Sequence, residues 1–534
     1  MVFLKVPMTT VEFLDRAVDI YGDHLGVIAD DGKEFTYNEF NERVNRLSNL
    51  FRKWGLKYGD RVAVLSFNTH WLLETFYATN QLGIINVPLN YRLKSSEYEY
   101  ILKDCGASAI ICDSELTDRI EEIRDGLPAK YYVAYDADKA EGDWEDYEKL
   151  LEESSPVQPP RPDYDENDVC TINYTSGTTG DPKGVMRTYR TEHWHALILS
   201  VHFQISDGDV YLWTLPMFHV NGWGHIYSIT GMGGVHVCLK KVEPAAVFEK
   251  INKYNVSYLC AAPTVLNMLI AHYNENPNVP TRGNRPVRLT TAGSPPPQTT
   301  IETIENEFGW ELRQLYGLTE VSPLITTSHS ERFTNEENKY ELKRMQGFEA
   351  LGTDIRVVDN EGNDVDQKGN EIGEIVIRGN QVMKGYWNKP EETEEAFNAK
   401  RPGYFHTGDL ATINENGMCE IKDRGKDIII SGGENISSVE VENLLYKHPV
   451  VAQCAVIGVP SEKWGETPKA IIVPKGDEKP SEEEIIKYCK EKIAGYKCPT
   501  SVEYVESLPT TATGKVQKFE LRRKYWEGHD RTVG

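Results

Sequence analysis

A glycine-rich loop that follows a strand-like run most constrains this chain. Residues 174–185 read YTSGTTGDPKGV, and β-branched and aromatic residues alternate through 169–174 before it. Glycine lets backbone N–H groups approach a polyphosphate, while hydroxyl groups and Lys183 add donors and a cation. Pro182 excludes a Walker loop, because it stands where that motif needs its second glycine. A polar surface turn is the alternative, but we predict a phosphate-binding loop formed by Thr175, Ser176, Gly177, Thr178, Thr179, Gly180 and Lys183.

Helical and strand-like patterns alternate along the 534 residues, which predicts an α/β fold. Thr36 and Glu39 form a capping box before a helical run of apolar residues, and Gly55 is predicted to end that helix. Strands are predicted at 62–66 and 109–112. A chain of this length exceeds what one hydrophobic core supports, so we expect at least a large and a small domain.

Domain boundaries are predicted from shifts in composition and pattern. Residues 153–168 are rich in proline and acid and are interpreted as a linker, and a β-rich region follows from about 351 to 423. We predict a large domain of helix-flanked β-sheets with a β-rich subdomain, and a small α+β domain. The predicted limits are 1–160, 161–345 and 346–423 for subdomains of the large domain (1–423), 424–427 for the connection between the domains and 428–534 for the small domain.

One helix of the small domain is predicted in detail. Its range is 482–494, with a capping box of Ser481 and Glu484 at the start and Gly495 as the stop.

Net charge and cysteine content limit the possible binding partners and the cellular compartment. The formal net charge of −24 argues against nucleic acid and anionic membrane surfaces as partners. The nine cysteines contain no C-x-x-C pair, which indicates buried, reduced thiols. No apolar run is long enough to span a membrane, and the N-terminus lacks the pattern of a signal peptide. We therefore predict a cytoplasmic protein.

Six further strings follow the loop in order along the chain. They are PMFHVNGWG (216–224), TTAGSPPP (290–297), YGLTE (316–320), HTGDL (406–410), IKDRGKDIIISGGENIS (421–437) and PTTATGK (509–515). Together they resemble the motifs of the adenylate-forming superfamily, which comprises acyl-CoA synthetases, peptide-synthetase adenylation domains and luciferases. The resemblance spans roughly residues 174–518 and is closest to medium- and long-chain fatty acyl-CoA synthetases. It implies that ATP and a carboxylic acid give acyl-AMP and pyrophosphate, and that CoA then gives acyl-CoA and AMP.

The resemblance also implies roles for residues in these strings. Lys515 would pair with the acyl carboxylate and the α-phosphate in the transition state, and Thr319 would bind the α-phosphate. Glu320, helped by Thr175, would hold Mg²⁺. The nucleotide site would comprise the glycine-rich loop with Gly293, Ser294, Pro295, Tyr316 stacked on adenine, Gly317, Thr319, Asp409 on the ribose hydroxyls, Arg424 and Lys515.

The acyl and CoA sites follow from the same resemblance. His219 would lie between the acyl carbonyl and the entering thiol, and Gly293 and Gly317 would line the acyl pocket. Trp223 resembles the gate of an acyl tunnel, with core packing as the alternative. The glycines on either side of Trp223, Gly222 and Gly224, indicate room or flexibility there.

The resemblance further implies that the β-rich subdomain is β-barrel-like and that the small domain is mobile and rotates after adenylation. The connection at 424–427 would be the hinge, with the change at Lys426, two residues after Arg424. Rotation would withdraw Lys515 and bring a glycine-rich strand to the site, where the absence of side chains leaves room for the pantetheine arm. The CoA-binding residues would be Ser431, Gly432, Gly433 and Glu434.

Three alternatives share this scaffold: an amino-acid adenylation domain, a luciferase-like oxidation of the adenylate and a non-catalytic homologue. The first needs an Asp where His219 stands, and 216–224 contains no acid. We predict a short- to medium-chain aliphatic substrate, with or without a hydroxyl group, and we keep a homodimer open. His193 and His195 are interpreted as ordinary helix side chains, and 364–374 as a hairpin connection rather than a calcium loop.

Overall fold

The computed structural model describes residues 6–527 except 141, 176–181, 294, 329, 331, 336, 367–370, 399, 432–433, 462, 477, 511–515 and the side chain of 435. Helices and strands alternate through this range, so the predicted α/β fold is confirmed.

The chain before the phosphate loop alternates short strands with helices. Its elements are α1 (Val11–Tyr21), β1 (Leu25–Ile28), β2 (Glu34–Thr36), α2 (Tyr37–Lys53), β3 (Arg61–Leu65), α3 (His70–Gln81), β4 (Ile85–Leu89), α4 (Ser95–Cys105), β5 (Ala109–Asp113), α5 (Asp118–Glu121), β6 (Tyr131–Tyr135), β7 (Glu145–Asp146) and α6 (Tyr147–Glu152).

The middle of the chain continues the alternation and carries most of the predicted site. Its elements are β8 (Val169–Thr175), β9 (Lys183–Thr188), α7 (Tyr189–His202), β10 (Val210–Leu212), α8 (Val220–Trp223), α9 (His225–Met232), β11 (Val235–Val237), α10 (Pro244–Lys253), β12 (Tyr258–Cys260), α11 (Pro263–Glu275), β13 (Val287–Thr291), α12 (Gln298–Asn306), β14 (Trp310–Tyr316), β15 (Thr326–Thr327), α13 (Lys339–Arg344) and β16 (Phe348–Glu349).

The remaining elements are richer in strands. They are β17 (Thr353–Val358), β18 (Gly373–Gly379), β19 (Gly385–Tyr386), α14 (Pro390–Asn398), β20 (Phe405–Ile413), β21 (Cys419–Arg424), β22 (Ile429–Ser431), β23 (Glu434–Ile436), α15 (Ser438–Leu445), β24 (Val451–Ser461), β25 (Gly465–Pro474), α16 (Glu482–Lys490), β26 (Ser501–Tyr504) and α17 (Lys518–Trp526).

Two mostly parallel sheets form the body of the large domain. Among the described residues, one has the strand order β19-β9-β8-β4-β3-β5-β6-β7 and the other β16-β15-β14-β13-β12-β10-β11-β1-β2. The pair β1–β2 joins the second sheet, whereas β8 and β9 join the first. Sheet pairing thus crosses the predicted boundary at residue 160, because parallel strands are joined by long crossovers that interleave distant segments. The subdomain limits stay predictions.

The sheets bring the sequence motifs to their strand ends. The strands β13 and β14 are parallel neighbours, so the segments that follow Thr291 and Tyr316 leave the sheet at the same edge. In α/β sheets, ligands bind outside the carboxyl ends of the strands. The topology therefore places TTAGSPPP beside YGLTE, although 26 positions separate the first residues of the two strings.

Local signals predicted the element ends well in most places. The capping box of Thr36 and Glu39 is present, α2 ends just before Gly55, and Gly55 has a φ of +74°. The box of Ser481 and Glu484 also forms. The prediction that this helix runs to 494 is wrong, since α16 ends at Lys490 and Gly495 begins a separate 3₁₀ turn. The early end lets Ile493 pack against the core of the small domain.

Other expectations from the sequence are met as well. All nine cysteines are free and buried. The strands β17 and β18 pair as an antiparallel hairpin around 364–374. His193 and His195 lie on α7, and His193 contacts the carbonyl oxygen of Thr9. Among the described residues, no helix is both long and apolar enough to cross a membrane. The cytoplasmic location and the homodimer stay predictions.

Candidate active site

The two strands that flank the predicted phosphate loop, β8 and β9, pair antiparallel. Thr175, at the end of β8, pairs with Lys183, at the start of β9, and the Thr175 hydroxyl donates to the Lys183 carbonyl at 3.4 Å. Gly184 must be glycine, because a Cβ there would lie 2.8 Å from Ile172 and 3.0 Å from Tyr174. Both ends of the loop are therefore held in register, with Thr175 and Lys183 half-buried at its base.

Tyr386 links two of the predicted site residues. The strand β19 pairs with β9, and the Tyr386 hydroxyl donates to Glu320 Oε1 at 3.0 Å. The Lys183 Nζ lies 5.0 Å from the centre of the Tyr386 ring. Burial raises the pKa of the half-buried Glu320, although the Tyr386 hydrogen bond opposes that shift. Sequence reasoning missed Tyr386, because only the pairing of two strands some 200 residues apart brings it here.

A second group surrounds Asp409. The hydroxyl of Tyr316 donates to Asp409 Oδ2 at 2.7 Å, and Arg424 Nε lies 3.3 Å from Asp409 Oδ1. Asp409 and Arg424 are direct partners across β20 and β21. Burial raises the pKa of Tyr316, and the Asp409 charge adds to the shift. The residues predicted to bind ribose and phosphate, Asp409 and Arg424, therefore lie beside the Tyr316 hydroxyl. The stacking of adenine on the Tyr316 ring stays a prediction.

The YGLTE segment turns sharply between these two groups. A Cβ on Gly317 would overlap the Pro323 carbonyl oxygen, so only glycine fits. A 3₁₀ turn, Thr319–Val321, then presents half-buried Thr319 and Glu320. Gly293, with a φ of +93°, is exposed at the end of β13.

The acyl segment contains a left-handed turn. The φ values are +46° for Val220, +52° for Asn221, +56° for Gly222, +51° for Trp223 and +76° for Gly224. His219, half-buried, directly precedes this turn. Each left-handed residue other than Gly or Asn costs roughly 1–2 kcal/mol, so the packing around the turn must hold it in place.

The expectation that these glycines leave room beside Trp223 is wrong. A Cβ on Gly222 would overlap the Trp213 ring, and one on Gly224 would overlap His195. Both positions are filled by buried aromatic neighbours, and the glycines serve the left-handed backbone and that close approach. Trp223 itself is 4 % exposed and belongs to the largest core cluster.

The hinge segment follows Arg424 directly. Burial, then the charge of Arg424, lowers the pKa of half-buried Lys426 to about 8. The next residue, Asp427, pairs with Arg522 of α17 at 2.5 Å. The first residue of α17, Lys518, is half-buried and pairs with Glu442 of α15 at 2.7 Å. The helix α17 is thus tied by one ion pair to Asp427 in the predicted hinge segment and by another to α15.

The predicted CoA strand forms a short hairpin. Ser431 and Glu434 pair across β22 and β23, with Glu434 exposed. Nine predicted site residues lie outside the described residues: Ser176, Gly177, Thr178, Thr179, Gly180, Ser294, Gly432, Gly433 and Lys515.

The residues around Glu320 fit a magnesium ion that arrives with a nucleotide. Mg²⁺ prefers oxygen ligands and is usually held by one or two carboxylates plus phosphate oxygens of the substrate. Glu320 would supply one carboxylate, and Thr175 would supply a hydroxyl at the base of the predicted phosphate loop. Among the described residues, no group of three or more His, Cys, Asp or Glu side chains could hold a metal alone. The donor set therefore suits a metal bound jointly with phosphate.

Fold and site geometry together define an adenylate-forming enzyme, and comparison with known proteins agrees. Residues 14–387 match the family model "AMP-binding enzyme", and residues 440–515 match "AMP-binding enzyme C-terminal domain". The chain therefore belongs to the AMP-binding enzyme family.

Two curated plant proteins are similar over nearly their whole length. A probable acyl-activating enzyme 6 of Arabidopsis thaliana is 37 % identical over 99 % of this chain and 98 % of its own. A 2-methylpropanoate–CoA ligase of Humulus lupulus is 36 % identical over 97 % of this chain and 95 % of its own. The crystal structure of an anthranilate CoA ligase in complex with anthranoyl-AMP matches with a TM-score of 0.88 and 26 % identity, covering 98 % of each chain. The protein is an acid–thiol ligase that uses ATP and CoA.

Proposed function

We propose that this enzyme activates a short aliphatic acid, straight, branched or hydroxylated, as acyl-AMP and transfers the acyl group to CoA. The aromatic packing behind the turn at 220–224 is the observation that supports a short acyl chain. Relatives named for 2-methylpropanoate and anthranilate show that small acids of different shape are used on this fold.

The adenylation step needs positioning and charge more than covalent catalysis. A carboxylate oxygen of the acid bonds to the α-phosphorus, and the bond to pyrophosphate breaks. Lys183 and the phosphate loop hold the outer phosphates, Thr319 donates to the α-phosphate, and Asp409 accepts from the ribose. Glu320 would hold magnesium, which would neutralise phosphate charge. Lys515 adds its positive charge where the acid and the α-phosphate meet.

The thioester step reuses the same pocket. His219 is half-buried at the start of the left-handed turn and can orient the CoA thiol toward the acyl carbonyl. The sulfur bonds to the carbonyl carbon, the bond from that carbon to the phosphate oxygen breaks so that AMP leaves, and the thiol proton passes to His219 or to solvent. The hairpin with Ser431 and Glu434 would then line the pantetheine path after the small domain rotates about Lys426.

The space behind the turn is filled by stacked rings. Trp213 stacks on His236 with ring centres 5.9 Å apart, and Tyr211 stacks on His225 at 4.9 Å. Trp213 also meets Tyr211 edge-on at 4.9 Å. All four side chains are buried. An acyl chain that enters beside His219 and runs toward the turn would therefore meet these packed rings, which supports a short acid.

The test is a panel of carboxylic acids assayed for pyrophosphate release, with and without CoA. The panel should include straight chains of increasing length, 2-methylpropanoate, a 4-hydroxy acid and an aryl acid. We expect the highest kcat/KM with a short aliphatic acid, and acyl-CoA and AMP in equal amounts. A best substrate of long chain would contradict the proposed acyl class, and adenylate formation with no acyl-CoA would contradict the proposed transfer to CoA.

Replacing Trp223 by Ala is expected to move the optimum toward longer or bulkier acids. Each buried methylene contributes about 0.8 kcal/mol, so two or three added carbons that fill the cavity would raise relative kcat/KM by about ten- to fiftyfold. The measurement is kcat/KM across the chain-length series. Trp310→Ala is the matched control, because Trp310 is equally buried in a different core cluster. An equal drop for every acid in Trp223→Ala would show that Trp223 only packs the core.

Replacing Lys426 by Pro is expected to slow CoA transfer by about tenfold or more and to leave acyl-AMP formation near the wild-type rate. Proline fixes φ, so a hinge that must change its backbone dihedrals would be locked. The two half-reactions are measured separately, with supplied acyl-AMP for the second. Lys426→Ala serves as control, since it removes the side chain and leaves the backbone free. If both variants behaved alike, the backbone at Lys426 would not be the hinge.

A further inference from the structure

A buried ion pair lies directly beneath the acyl segment and has no part in the steps above. Arg187 of β9 and Glu192 of α7 are both fully buried, with Arg187 Nε 2.6 Å from Glu192 Oε1. Burial raises the pKa of Glu192 to about 6, although Arg187 opposes the shift. Taking two charges out of water costs several kcal/mol per ion, and well-packed apolar residues are often as stable in such positions. A gain in stability therefore does not account for this pair.

The pair is connected to the left-handed turn through one side chain. Asn221 Nδ2 donates to Glu192 Oε1 at 2.8 Å. The Oδ1 atom of Asn221 accepts from Asn173 Nδ2 at 3.0 Å, and the same Asn173 nitrogen donates to the Phe218 carbonyl at 3.2 Å. The hydrogen bonds thus hold the turn on both sides of His219, from β8 and from α7.

The same pair also reaches the segment that carries Glu320. Arg187 Nη2 donates to the Ser322 carbonyl at 3.4 Å. Asn173 and Arg187 lie on the two strands that hold the phosphate loop, β8 and β9. One buried network therefore joins the phosphate-loop hairpin, the acyl turn and the end of the YGLTE segment.

We propose that Arg187, Glu192 and Asn173 are positioning residues that act through Asn221 to hold the strained turn, and with it His219, at the acyl carbonyl. This inference rests on the proposed function of the same site. The left-handed conformation of Val220 and Trp223 is unfavourable by itself, so the turn needs fixed partners. Asn221 is the residue of the turn whose side chain meets those partners, and its ionic partner Glu192 makes the hydrogen bond a strong one.

The test uses Asn221→Gly. Glycine adopts a φ of +52° without strain, so the substitution removes the two hydrogen bonds and leaves the backbone able to form the turn. We expect kcat for CoA transfer to fall about ten- to a hundredfold and KM for the acid to rise, with KM for ATP unchanged. The matched control is Asn255→Gly, since Asn255 also has a positive φ, +51°, and its side chain accepts a hydrogen bond from the Asn284 N–H remote from the site.

A reversed pair gives a second, independent readout. Asn221→Asp alone places a carboxylate against Glu192 and should be at least as damaging as Asn221→Gly. Adding Glu192→Gln removes the like charge and offers an amide donor to the new acceptor, so the double variant should regain part of the kcat that Asn221→Asp loses, even though Glu192 Oε1 is the atom that faces both Asn221 and Arg187.

Two results would overturn the proposal. One is kinetic constants for Asn221→Gly within about twofold of wild type with only a lower melting temperature. The other is a loss that raises KM for ATP as much as KM for the acid, which would indicate general deformation of the site. The proposed function is tested separately on the wild-type enzyme. If that enzyme formed no acyl-CoA from any acid of the panel, the proposed function would be wrong.

Discussion

Lys515→Ala is expected to slow adenylation by about 10²–10³-fold and to leave thioester formation from supplied acyl-AMP largely intact. This size is typical of removing one donor that stabilises charge developing in a transition state. Lys515 itself lies outside the described residues, but its segment is closed at the base by a bridge between Thr510 and Val516. The helix α17 begins three residues later, at Lys518, which is tied to Glu442 near the hinge. Rotation of the small domain would therefore carry Lys515 with it.

The measurement for Lys515→Ala separates the two half-reactions. Pyrophosphate release with acid and ATP reports the first, and acyl-CoA formation from acyl-AMP and CoA reports the second. Lys479→Ala, on an exposed loop of the same domain, controls for the loss of one positive charge. Equal losses in both half-reactions would refute the division of labour between the two orientations of the small domain.

Asp409→Asn is expected to lower kcat/KM for ATP by about 30- to 150-fold, with a small change in KM for the acid. Asp409 is buried and accepts from Tyr316, with Arg424 at 3.3 Å. Removing one member of a buried, hydrogen-bonded charge pair costs roughly 2–5 kcal/mol, and we take the lower part of that range because Arg424 is partly exposed. The amide also offers the ribose hydroxyls one acceptor in place of two.

Asp354→Asn is the matched control for this substitution. Asp354 lies in the same four-stranded sheet and accepts from the Tyr404 hydroxyl and from Arg378, each at 2.7 Å. It therefore has the same types of partner without the predicted nucleotide contact. The readout is kcat/KM for ATP at saturating acid, with melting temperatures for both variants. Equal kinetic losses in the two variants would show that Asp409 acts only on the stability of the sheet.

Several features of the chain were predictable because they depend on neighbours in sequence. A capping box spans four residues, so Thr36 with Glu39 and Ser481 with Glu484 could be recognised directly. The motif strings could be recognised for the same reason, since the functional residues of each string lie within a few positions of one another. They indicated the class of enzyme, and the family match confirms it. They also named Asp409 and Arg424, which the structure then places side by side.

Local sequence patterns predicted the structure less well at positions where tertiary packing decides the conformation. Gly495, taken as the stop signal, suggested a helix through 494, but α16 ends at Lys490 and Ile493 packs against the core of the small domain. The glycines around Trp223 suggested open space. Only the packed structure shows that Trp213 and His195 occupy that space and that the glycines serve a left-handed backbone.

The sequence by itself determined the enzyme class and the α/β character, because these are encoded in short strings and short-range periodicity, and the same strings predict the residues of the candidate nucleotide site. The tertiary structure alone decided the strand order, the contact of Tyr386 with Glu320, and the buried network of Arg187, Glu192 and Asn221. Those features join segments that are distant in the chain or depend on which side chains face each other. Their energies come from burial and pairing in the folded state, and no local pattern of residues specifies which partners will meet.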